Sequence, residues 1–256
     1  MSGVLPEIWQ KTLLFSLWVS PHVLLGGLAV ILYARRLYRE FPAFFAYVLY
    51  EVAEFILLLA FNTRAKGDYT YAYGATLMFS IALRFGVIDE ISRNLLRECQ
   101  FLKVAARRSL ECATVLLIAV SVLLAVYAPG HNNARWSAGI FVVNRGAAMV
   151  QCGMLLFLLL VSRFLGLSWR RHAFGIALGL GILTSFDIAD FALRAEFTSK
   201  ASVRVLNLLI TGSYLICVLI WTAYSLAPEP APAPVAILPH EEVETWSTEF
   251  QHLLRG

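Results

Sequence analysis

The chain has 256 residues, 59% of them hydrophobic and 15% charged, with a formal net charge of +4. A soluble globular domain runs at about 45–50% apolar and about 25% charged, and the mean hydropathy here is +0.69. This composition excludes a soluble domain, a disordered chain, a nucleic-acid-binding module and a secreted disulfide scaffold.

The N-terminal MSGVLPEIWQK lacks the basic leader of a signal peptide. Its first apolar run ends at Tyr33-Ala34-Arg35-Arg36 rather than at a small-residue cleavage site, so it reads as a retained first span. Apolar segments then recur at 12–33, 41–62, 71–92, 109–128, 137–161, 173–194 and 204–226. Each is long enough to cross about 30 Å of hydrocarbon at 1.5 Å rise per residue. Only a helix satisfies the backbone of such a segment from within. The prediction is an all-α, polytopic membrane protein with seven transmembrane helices in residues 1–227.

Pro42 suits a first helical turn, whereas Pro21 predicts a kink beside His22. Gly175-x-x-x-Gly179 and Ala177-x-x-x-Gly181 in the sixth span predict close helix approach. Trp18, Trp136, Trp169 and Trp221 fall in or near span ends, where most suit interfacial anchoring. Residues 228–240 are Pro-rich and read as an extended linker. Residues 241–256 place Val243, Trp246, Phe250, Leu253 and Leu254 on one face of a short amphipathic cytoplasmic tail. That tail lies on the membrane or docks a cytoplasmic protein partner.

Arginine and lysine set the expected orientation. The first, third and fifth loops hold eleven of them, in clusters such as Arg35-Arg36, Arg107-Arg108 and Arg170-Arg171, against seven on the other side. The N-terminus is therefore expected outside and the C-terminus in the cytoplasm. The second and sixth spans also share a pattern. Glu51-Val52-Ala53-Glu54-Phe55 matches Asp187-Ile188-Ala189-Asp190-Phe191, and each follows an Arg-Arg pair at nearly the same distance. This points to a 3+1+3 arrangement of parallel repeats, a plan that puts transporter sites near the midplane between halves.

Six ionisable residues lie within the spans: Glu51, Glu54, Arg84, Arg145, Asp187 and Asp190. A charge at the bilayer centre costs about 2.5–3.5 kcal/mol on insertion scales, so such groups face the bundle interior and pair. Helix rise puts Glu51, Glu54, Asp187 and Asp190 about 15, 20, 21 and 25 Å from the cytoplasmic edge. By the same count Arg145 lies level with Glu54 or Asp187, and Arg84 level with Glu51 or Glu111. Four acids against two arginines leave an excess of two negative charges. A low-dielectric site relieves that excess by holding a proton or by binding a cation. Fixed ion pairs that set helix register are the structural alternative. Asn144, Gln151 and Tyr214 add polar groups in the fifth and seventh spans.

No enzyme signature is present. None of the four lysines is mid-span, which excludes a retinal Schiff base. HExxH and His-x-x-x-His are absent, and the four cysteines, Cys99, Cys112, Cys152 and Cys217, form no CxxC. No cofactor or metal site is expected. The predicted partners are the lipid bilayer and a small-molecule or cation ligand held by the Arg/acid cluster, or else a protein partner bound through the loops and tail. The first is a transport or binding reading, the second a sensor or scaffold reading.

Arg36-Leu37-Tyr38-Arg39-Glu40-Phe41-Pro42 resembles part of a group of bacterial seven-helix inner-membrane proteins to which no activity is assigned. So does the stretch from Arg145 through Gln151-Cys152-Gly153 and Leu165-Gly166-Leu167-Ser168-Trp169-Arg170 to Gly179. The resemblance covers most of the helical region and implies the bacterial inner membrane. Likeness to seven-helix sugar and amino-acid carriers rests on span count alone, because their Pro-Gln signature is absent from the first and fifth spans.

Overall fold

A computed structural model describes residues 4–64, 69–96, 108, 112, 115, 132–164, 169–196 and 200–228. All but residues 112 and 115 of the expected fourth span lie outside the described residues. So do the linker beyond Pro228 and the amphipathic tail.

Among the described residues the protein is all-helical. Its six α-helices are α1 (Val4–Ala34), α2 (Pro42–Arg64), α3 (Tyr69–Leu95), α4 (Asn132–Phe164), α5 (Arg171–Glu196) and α6 (Lys200–Leu226). They overlap the expected first, second, third, fifth, sixth and seventh spans. Four segments among them are long and apolar enough to cross a membrane: Pro42–Ala60, Val142–Phe164, Arg171–Arg194 and Val205–Leu226. Only 22–33% of each such segment is buried inside the protein. Many of their apolar side chains, Ile56, Leu156, Leu160, Leu209 and Ile216 among them, are exposed. That outward apolar surface suits contact with lipid.

Helices that follow one another in the chain pack on one another, α3 on α4 included. Contact between α6 and α1 completes a ring of six, and α3 also touches α5 across it. The core is fully buried at Leu25, Leu28, Phe44, Tyr47, Val48, Val87, Ile91, Cys217 and Trp221.

Local chemistry shapes the ring. Pro42 opens α2, where a missing N–H costs nothing. The next two orphan donors, Ala43 N and Phe44 N, reach the two carboxylate oxygens of Glu90 on α3 at 3.0 and 3.1 Å. An acid at a helix N-terminus also complements the helix dipole. Pro21 lies inside α1, which runs through it as one helix. Gly175 and Gly179 on α5 let Tyr224 and Trp221 of α6 press against its backbone. Trp221 is therefore a core residue and not an interfacial anchor: it is fully buried, and its Nε1 donates to the Ile176 carbonyl at 3.3 Å.

The basic loops gather at one end of the ring. Arg35 donates to the Ser225 carbonyl at 3.2 Å and Arg171 to the Pro228 carbonyl at 3.0 Å. Arg170 pairs with Glu40 at 3.1 Å, and Arg93 pairs with Asp89 one turn earlier on α3.

Candidate functional site

Two adjacent helices carry matching stripes. On α2 they are Tyr47, Glu51, Glu54 and Leu58; on α3 they are Tyr73, Leu77, Ser80 and Arg84. Both follow the spacing i, i+4, i+7, i+11, which places each set on one helix face. The packing of α2 on α3 brings the two faces together.

Glu51 is the hub. Ser80 donates its hydroxyl to Oε1 at 2.6 Å, and Tyr214 on α6 donates to Oε2 at 3.0 Å. Both carboxylate oxygens thus have a partner from another helix. Arg84, one turn from Ser80, donates through Nη1 to Asp187 on α5 at 3.3 Å. The pair is 12% and 22% exposed at its two side chains. The Arg84 guanidinium also lies over the Tyr47 ring, 5.9 Å from its centre. The Arg84 Nε and the Tyr47 hydroxyl are buried and have no hydrogen-bond partner among the described residues. Buried polar groups are seldom left this way, so the bundle centre holds unused hydrogen-bonding capacity.

Glu54 differs from the other acids. The Thr76 side chain is beside it, but among the described residues it makes no ion pair. Asp190 is neutralised in full: Arg194, four residues on, donates Nε to both of its oxygens at 2.7 Å. Arg194 continues to Asn207 on α6 at 2.7 Å. The centre therefore keeps Glu51, Glu54 and Asp187 against Arg84, again an excess of two negative charges when all are ionised.

A cavity of about 420 Å³ opens beside this centre. His22, Glu51, Glu54, Phe55, Leu58, Leu59, Tyr73, Leu77, Ser80 and Arg84 line it. It runs from Arg84 and Ser80 to Leu59 and Tyr73, which are each 42% exposed at the end of the bundle away from the basic loops. His22 stacks on Phe55 with ring centres 4.0 Å apart and leans toward Tyr214 at 5.9 Å.

Asp187 takes Arg84 as its partner, where the depth count had put Arg145. Arg145 is exposed on α4, in line with Met149 and Leu156 on the outward face. The buried face of α4 carries Ala148, Gln151, Leu155 and Leu158 instead. Depth counting gives height along a helix but not direction around it. At about 100° per residue, one position separates the two faces. Asn144 is half-buried, and Gln151 is buried with its Nε2 unpartnered. Neither lines the cavity. Sequence reasoning missed Ser80, Tyr47 and the aromatic walls Phe55 and Tyr73. The stripe spacing was the signal that would have found Tyr47, Ser80 and Tyr73; Phe55 lies beside the stripe, next to Glu54.

Among the described residues no three His, Cys, Asp or Glu side chains converge closely enough to hold a metal ion. No protein-family model, curated protein or solved structure matches the chain.

Proposed function

We propose that the chain is a seven-helix protein of the bacterial inner membrane that binds a small solute and moves it in a proton- or cation-linked way. The carrying observation is the cavity itself, an open volume with polar and apolar walls that include Glu54, which makes no ion pair among the described residues. Tightly packed ion pairs alone would fit a scaffold; a cavity beside uncompensated carboxylates fits a binding protein. Glu51, Glu54 and Asp187 are the groups that take a proton or cation, and Arg84 is the fixed countercharge. No step calls for bond-making chemistry, so the reading is non-enzymatic. Arg145, on the outward face, is left out of the site.

Three features support the finer architecture. The basic loops share one end of the ring, which the positive-inside rule assigns to the cytoplasm, with the N-terminus outside. The packing order α1–α2–α3 recurs as α4–α5–α6, with α3 on α4 matched by α6 on α1. The central contacts are also matched. Arg84, midway along α3, reaches the acid on α5, while Tyr214, midway along α6, reaches the acid on α2. Two parallel halves around a linking fourth span account for all of this, as do the paired acid-x-Ala-acid-Phe motifs.

The test begins with purified protein and a panel of small cationic, neutral and anionic solutes, read by thermal unfolding. A stabilising solute should then drive proton or cation movement in dye-loaded liposomes. Glu54→Gln should erase both responses while unfolding within a few degrees of wild type; Asp187→Asn should erase them too, at a lower unfolding midpoint because Arg84 loses its partner. Because His22 shares the cavity wall, the comparison is repeated in His22→Gln. If both acid variants keep the solute response, the site is misplaced.

A further inference from the structure

We infer that the cavity among α1, α2 and α3 takes an organic monocation, an amine whose ammonium group sits at Glu54 and Glu51 and whose apolar body lies against Phe55, Leu58, Tyr73 and Leu77. The inference rests on the cavity being a binding site and adds the class of ligand.

Charge narrows the ligand first. Arg84 is engaged by Asp187, and both oxygens of Glu51 already accept hydroxyls. Glu54 contributes a carboxylate with no ion pair among the described residues. An anion would meet this excess negative charge in a low-dielectric wall and be repelled. A neutral solute would leave the excess uncorrected. A cation reduces it and supplies Glu54 with the ion pair that no described residue gives it.

The walls then separate organic from inorganic cations. Metal ions such as calcium call for six to eight oxygen ligands, and no three His, Cys, Asp or Glu side chains converge among the described residues. The wall instead offers Phe55, Tyr73, Leu58, Leu59 and Leu77 beside the two glutamates. Aromatic faces attract ammonium groups through the ring quadrupole, more so when the cation is desolvated. The leucines suit hydrocarbon and contribute nothing to a hydrated ion.

Size agrees. A volume of 420 Å³ is the space of about fourteen waters at roughly 30 Å³ each. That is far more than a bare ion needs and enough for an amine of about ten non-hydrogen atoms. Along α3 the lining residues run from Tyr73 to Arg84, eleven residues of helix or about 16 Å. An ammonium group at one end and a ring or chain at the other fit within that length.

The test uses three probes of one shape: 2-phenylethylammonium, 2-phenylethanol and 3-phenylpropionate. Each is titrated calorimetrically into full-length protein in nanodiscs. The amine should bind at least tenfold more tightly than the alcohol, and the carboxylate should not bind. Glu54→Gln should remove that tenfold preference. Leu77→Trp, which fills the apolar end, should abolish amine binding; circular dichroism and the unfolding midpoint report whether that variant is folded. A second apolar-end variant, Leu58→Phe, is used if it is not. Equal binding of amine and alcohol, or an amine affinity indifferent to Glu54, overturns the cation assignment and leaves the cavity as a solute site. If none of the three probes binds, both the assignment and the solute-binding reading fall.

Discussion

Arg84 and Asp187 form the one ion pair among the described residues that crosses the ring centre, and the two residues do not contribute equally. Arg84 is more enclosed, and it has the Tyr47 ring beneath it. Removing one member of a buried pair leaves the other charge without compensation, which costs about 3–5 kcal/mol at full burial. Partial exposure of Asp187 moves the expected loss toward the lower end. Arg84→Met should therefore lower the unfolding midpoint clearly in detergent. Arg84→Met with Asp187→Leu should recover most of the loss, because two apolar groups replace two charges. A double variant as unstable as the single one would show that Arg84 acts through Tyr47 or Glu51 instead. At this scale the sequence was informative where a residue is expensive in lipid. Glu51, Glu54, Arg84 and Asp187 drew attention because mid-span charges need partners. Ser80 and Tyr47 did not, since hydroxyls inside helices are cheap and common.

Helix contacts depend on what lies at a few close approaches. A Cβ on Gly179 would collide with the Trp221 indole, and one on Gly175 with Tyr224. Trp221 cannot yield easily, because Phe44 and Tyr47 of α2 meet its ring edge-on at 5.4 and 6.0 Å. Gly179→Ala should thus destabilise by about 1–3 kcal/mol, the usual cost of overpacking. Gly27→Ala and Gly212→Ala meet nothing within 4 Å. They should be neutral, or stabilising by up to about 1 kcal/mol through helix propensity. Thermal unfolding of the three variants side by side checks this, and equal effects would refute the close-packing account. The small-residue spacing on α5 could be read from sequence, since it lies within one helix. Its partner could not, because which helix fills a groove depends on the order of packing. The same limit applies to Trp221, whose place near a span end resembled that of an interfacial anchor. Its contacts with α5 and with Phe44 and Tyr47 of α2 make it core.

The two halves of the ring differ in one respect that bears on function. Aligned on acid-x-Ala-acid-Phe, Glu54 corresponds to Asp190, and the residue four positions later is Leu58 in one half and Arg194 in the other. Asp190 is closed off by that arginine at 2.7 Å, whereas Glu54 faces a cavity. Tyr224 and Trp221 pack on Gly175 and Gly179 in the second half, and the cavity of about 450 Å³ between α4 and α5 there is apolar and holds no carboxylate. On the proposed two-half plan, the second acid is capped by an arginine in one half and left facing a cavity in the other, and a single i+4 position accounts for the charge difference. Leu58→Arg would supply the missing partner, since an acid followed four residues on by an arginine is the favourable helical orientation. The variant should keep its unfolding midpoint within a few degrees and lose 2-phenylethylammonium binding at least tenfold. Leu58→Met, similar in size and uncharged, should bind the amine as wild type does. Calorimetry on the pair decides the matter. Retained binding in Leu58→Arg would mean that the free charge of Glu54 does not govern the cavity, and the correspondence between the halves would lose its functional meaning.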